Sequence, residues 1–183
     1  MGFSISWLAV HGLARADILA RLDATDTGRL QEIPEAALSI ADLPDGWTIL
    51  FSQDFDFAAS ERVHPLFDAP VVGCQVHEGI MASVAFGAQP GGQSWGLMHE
   101  GYNGVRDLTV TGDSPPAFTE ARDRAEAAQA AEGDNAGVDF YFDVPIDTAF
   151  ALTRFRHNHF EFDWGQPVWT VVTAPFAPAP SWF

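Results

Sequence analysis

Four runs rich in apolar residues, at 71–77, 80–87, 93–99 and 105–111, are separated only by Glu78-Gly79, Gln89-Pro90-Gly91-Gly92 and Gly101 to Gly104. A parallel connection needs a crossover of a dozen residues or more, whereas these turn-forming breaks suit hairpins. The spacing therefore predicts an antiparallel meander over about 71–111. Around it the signals mix. Phe3, Ile5, Trp7 and Ala9 alternate as an opening strand, and residues 17–22 form a short amphipathic helix that ends near Asp26-Thr27-Gly28. Residues 31–46 are polar and Pro-punctuated, closing on the Pro44-Asp45-Gly46 turn before an apolar strand over 47–51. Ser60 caps a short helical turn over 61–67. Ser114-Pro115-Pro116 opens a helix over about 115–131, with Glu120 and Arg124 as a favourable i,i+4 pair. Further strands are expected at 138–144, 155–164 and 168–173, with a helix between them at 145–153. The expectation is an α+β fold: a mostly antiparallel sheet with three to four helices packed on one side, in a single domain spanning 1–183. The tail 174–183, with prolines at 175, 178 and 180, reads as extended and ends on Trp182-Phe183. Its aromatic tip is expected to dock on its own body or on a second copy, giving a homo-oligomer.

Composition removes several chemistries. Among 183 residues there is no lysine, and all nine cations are arginines. That excludes a Walker A phosphate grip, Schiff-base catalysis and a Ser-x-x-Lys acylation pair. The lone Cys74 excludes a Cys₄ zinc site, a C-x-x-C pair and an internal disulfide. A formal charge of −16 repels nucleic acid and anionic membranes, while a basic protein partner or a cationic ligand remains compatible. With charged residues at only 19%, the imbalance comes mainly from missing bases, as the codon usage of a GC-rich genome would also produce. No run of about 18 apolar residues and no secretory signal pattern is present, so a cytoplasmic, bacterial protein is expected.

Two residue groups stand out as candidate sites. If 155–164 is a strand, its period of two places His157, His159, Glu161 and Asp163 on one face, ligand types suited to zinc, manganese or iron. A bland alternative gives the same pattern, with aromatics inward and polar groups in water. Second, Asp54-Phe-Asp56-Phe, Asp139-Phe-Tyr-Phe-Asp143 and Phe160-Glu-Phe-Asp-Trp164 interleave acids with rings. Strands of that composition present carboxylates beside aromatics, a surface suited to a basic partner. Asp54, Asp56, Asp139, Asp143, Trp182 and Phe183 are the binding residues on this reading. Asp54 and Asp56 also fit as turn caps. Gly92-Gln-Ser94-Trp-Gly96 matches the nucleophile elbow, but that motif requires a helix after its serine, and the residues after Ser94 read as strand.

The favoured function is a non-enzymatic acidic interaction domain for a basic protein, with no cofactor. It is comparable in charge and size, and in no motif, to small acidic proteins that neutralise toxic nucleases. The alternative is a metal-dependent enzyme using the His157, His159, Glu161 and Asp163 face.

Overall fold

The opening strand β1, Ser4–His11, buries every residue from Ile5 to Val10, so it needs cover on both faces. It receives that cover at the centre of a nine-stranded, wholly antiparallel sheet. The structure is a computed structural model; its described residues are 2–135 and 137–175, without the side chains at 63 and 64. The other strands are β2 (Thr25–Gln31), β3 (Leu38–Asp42), β4 (Trp47–Ser52), β5 (Val71–His77), β6 (Ala82–Ala88), β7 (Ser94–Glu100), β8 (Thr109–Gly112) and β9 (Trp169–Thr173). Their order is β2-β9-β3-β4-β1-β5-β6-β7-β8. The run β5 to β8 is the expected meander, with each strand paired to the next. The helices are α1 (Arg15–Arg21), α2 (Ser60–Val63), α3 (Pro116–Glu132) and α4 (Asp143–Thr153). The α+β class is thereby established. Among the described residues no helix is long and apolar enough to cross a membrane.

The helices divide between two faces instead of sharing one. Alternate residues of β1 separate the cores: Leu8 and Val10 join Ile18 and Leu19 of α1 and Leu22 just after it, together with Phe57 and Phe67. Ile5, Trp7 and Ala9 face Ile146 and Ala149 of α4 and the rings of Phe51, Phe155 and Trp169. Helix α3 packs on α4 through Phe118, Ala121 and Ala125, which meet Leu97 and Val144. With both faces covered, central strands lose the polar alternation of a half-wet sheet, which is why Trp7 to Val10 of β1 and Ile49 to Phe51 of β4 are uninterrupted apolar runs.

Two strands were not expected, and two expected strands are absent. Residues 31–46 contain β3, and β2 lies just before them. The late strand β9 inserts between these two and pairs antiparallel with both. Gln31 stands level with Trp169, whereas Ser39 stands level with Val171. Because β2 and β3 run the same way, the connection 32–37 must return along β9, crossing over one end of the sheet. The run 138–144 forms no strand because a buried side chain takes the place of a neighbouring strand. Gln129 of α3 accepts from the Phe140 amide at 3.1 Å and donates to the Val138 carbonyl at 3.1 Å. Asp139 then accepts from the Phe142 amide, and α4 begins at Asp143.

The run 155–164 is not a strand either; an isolated bridge between Phe162 and Gly165 is its sheet-like pairing. Arg154 leaves α4 in the left-handed region at φ 59°. Arg156 is then held back against that helix by ion pairs to Asp143, at 2.7 Å, and to Asp147. The following rings fold inward. Phe155 is buried, Phe162 stacks on Trp164 at 4.9 Å, and the Trp164 indole donates to the Arg154 carbonyl.

A candidate ligand cavity lined by aromatic rings

The crossing connection 32–37 and the aromatic loop 155–167 stand over the same end of the sheet and enclose a cavity of about 520 Å³. Phe51 of β4 and Trp169 of β9 contribute from the sheet, as does Phe3 from the residue before β1; Ile33 and Pro34 come from the connection, and Phe155, Phe160, Phe162 and Pro167 from the loop. The rings brace one another edge to face: Phe51 to Trp169 at 5.9 Å, Phe155 to Trp169 at 5.7 Å and Phe155 to Phe51 at 6.3 Å. This geometry favours aromatic pairs and fixes the walls before anything enters. Glu32, Glu35, Gln53, Gln166, His157 and His159 are the polar residues of the lining.

His157 sets this cavity apart from an ordinary surface cleft. It is 8% exposed, and Phe3 meets its ring edge-on at 5.0 Å. Neither Nδ1 nor Nε2 has a hydrogen-bond partner. Burial, with the nearby Arg156 and His159, depresses its pKa to about 4, so the ring is neutral at physiological pH. A neutral imidazole carries one donor and one acceptor, and among the described residues neither is used, although the ring lies in the cavity wall.

The buried His99 is the opposite case. Its Nδ1 meets the Asp107 carbonyl at 2.7 Å and its Nε2 the Asp139 carboxylate at 2.9 Å. Both ring nitrogens are thereby partnered, unlike those of His157. His99 is wholly buried and fully partnered, and this arrangement ties β7 to the start of α4. Its role is structural.

The residues singled out from sequence scatter around this picture. The strand face that was to join His157, His159, Glu161 and Asp163 does not exist. His157 points inward, His159 and Glu161 are exposed, and Asp163 takes both its oxygens to Arg154 at 2.9 Å. Among the described residues no three His, Cys, Asp or Glu side chains converge to hold a metal. Asp54 caps its own turn by accepting from the Asp56 amide at 3.0 Å, and Asp56 is exposed. Asp139 is turned inward to His99, and Asp143 is paired with Arg156. Trp182 and Phe183 lie outside the described residues, as does the tail contact expected of them. Ser94 opens β7 and pairs with Ala88, with strand rather than helix after it, so the nucleophile-elbow geometry is absent. Among the described residues, six of the nine arginines sit in ion pairs with carboxylates, dispersed over the molecule instead of pooled in a groove.

No family model, curated protein or solved structure matches this chain. The cavity alone therefore carries the functional reading. Sequence reasoning reached His157 but gave it the wrong neighbours. The crowding of rings between 155 and 169 was the signal that could have pointed to an aromatic pocket.

Proposed function

We propose that the protein is a binding module that takes a small, largely apolar organic molecule into the aromatic cavity. Ligand sites are characteristically concave, about 300–1,000 Å³ in volume, lined by apolar rings, and oriented by a few polar groups. The single observation that carries the reading is His157, a deeply buried imidazole in the wall of that cavity with both nitrogens unpartnered. A buried polar group without a partner costs about 1–3 kcal/mol, and a ligand that hydrogen-bonds to it recovers that cost on binding.

The test is calorimetric titration with 3-ethylindole, whose bicyclic ring fits the aromatic walls and whose N–H can reach an imidazole nitrogen. The expected dissociation constant is on the order of 0.1–1 mM, appropriate to so small a molecule. His157→Leu should weaken it about 2–10-fold, the worth of one neutral hydrogen bond. Absence of saturable binding to the wild type, or equal affinity in the variant, refutes the proposal.

A second reading, docking of a basic protein, is favoured by the mouth of the cavity. Phe160 at 65% and Ile33 at 43% are exposed there beside Glu32 and Glu35, and Val168, next to the lining residue Pro167, is 67% exposed. Apolar anchors within an acidic rim suit a cationic protein surface. That reading requires a partner recovered at low salt, lost at high salt, and lost also with Phe160→Ser.

A further inference from the structure

We propose that the ligand of this cavity is a monocationic aromatic amine, its ring held among the phenylalanines and its ammonium group shared between His157 and the carboxylates of Glu32 and Glu35. The inference rests on the reading of the cavity as a ligand site and adds the charge of the molecule that enters it. The titratable groups of the lining are two glutamates and two histidines, and no arginine is among them. An organic anion would meet no cation there. The nearest arginine in sequence, Arg156, is turned away and held by Asp143 and Asp147 on α4. A neutral ligand would gain from the walls but leave both glutamates without a role.

A cation satisfies every feature of the lining. The faces of Phe3, Phe51, Phe155, Phe160, Phe162 and Trp169 carry the negative side of their ring quadrupoles, and an ammonium group near such faces is attracted to them. Each N–H of an ammonium group is a donor, and the unprotonated nitrogen of His157 is a buried acceptor without a partner. A ring held neutral does not repel the incoming charge. The net charge of −16 raises the local concentration of any small cation and repels its anionic counterpart.

Three indoles of one shape and different charge separate the possibilities: tryptamine, 3-ethylindole and indole-3-acetate, each titrated into the full-length protein at neutral pH. Tryptamine is expected to bind about tenfold more tightly than 3-ethylindole at low salt, with the gap narrowing as salt is added, and indole-3-acetate to bind least. In the double variant Glu32→Gln, Glu35→Gln the ratio of the tryptamine and 3-ethylindole constants should fall toward one. Should that variant fold poorly, the salt dependence of the wild-type ratio carries the same information. If 3-ethylindole or indole-3-acetate binds as tightly as tryptamine, the cationic inference is overturned and the cavity reading stands. If none of the three binds, both fall together.

Discussion

Replacing His157 with leucine should make the unliganded protein more stable while weakening its binding. The wild-type imidazole is buried, neutral and without a hydrogen bond, an arrangement that costs about 1–3 kcal/mol relative to a side chain with no polar atoms. Leucine matches the apolar walls but not the planar ring, and imperfect packing returns up to about 1.5 kcal/mol of that gain. The expected net effect at pH 7 is a stabilisation of about 1 kcal/mol. The pH dependence is larger and is diagnostic. His157 titrates near 4 in the folded protein and near 6.5 in the unfolded chain. Between those values the unfolded state binds a proton that the folded state refuses, so stability is intact above about pH 6.5 and falls as pH falls toward 4. The gap of 2.5 units corresponds to about 3 kcal/mol, of which about 2 kcal/mol is already lost at pH 5. Urea unfolding of wild type and variant from pH 7.5 to 4.5 measures the difference, since all 25 carboxylates are common to both proteins and cancel to first order. The stability advantage of His157→Leu should widen from about 1 to about 3 kcal/mol on acidification to pH 5. A variant less stable at pH 7, or an advantage that stays flat with pH, would show that the ring is solvated or partnered in solution and would remove the support for the binding site.

Two further outcomes test the frame that holds the cavity. Gly73 of β5 faces Phe86 of β6, and a Cβ there would lie 2.2 Å from the Phe86 ring, so Gly73→Ala should cost about 1–3 kcal/mol in chemical denaturation even though alanine suits a strand better than glycine. Arg156→Leu removes the cation between Asp143 and Asp147 and frees the start of the aromatic loop. It should cost roughly 2 kcal/mol in the same assay and weaken 3-ethylindole binding through the displaced Phe155 and His157.

The meander was legible because its signals are local: each strand lies within a few residues of its partner, and glycine and proline mark every turn. β2 and β3 were not. β2, with the sequence Thr-Asp-Thr-Gly-Arg-Leu-Gln, is an exposed edge strand, irregular between Asp26 and Leu30, with Gly28 at φ 69°. Such a segment has the composition of a loop, and only its pairing with β9, some 140 residues later, makes it a strand. β3 has a near partner, pairing along its whole length with the adjacent β4, and was hidden instead by the polar, Pro-punctuated composition of the segment around it. Conversely, 138–144 carries strand-like residues whose backbone groups are satisfied by Gln129, and no periodicity reports on a side chain reaching across from another helix.

The alternation of rings and polar groups from Phe155 to Trp164 misled for a more instructive reason. Either a strand or a collapsed loop can bury Phe162 and Trp164, so the burial of those rings does not decide between them. The decision falls to Arg156. In a strand it would share a face with Asn158 and Phe160, far from α4; in the loop it makes ion pairs to Asp143 and Asp147 and a hydrogen bond to Asn158. Holding Arg156 against the helix turns the next residue inward, and that residue is His157. The same ion pairs that abolish the strand therefore create the buried imidazole. The loop that results closes over Phe51 and Trp169 without filling the space above them. An aliphatic residue at 157 would complete such a fold at lower free energy. Histidine at that position leaves two unpartnered nitrogens in the wall of a ring-lined space, an arrangement that stability alone does not favour and that a hydrogen-bonding ligand would.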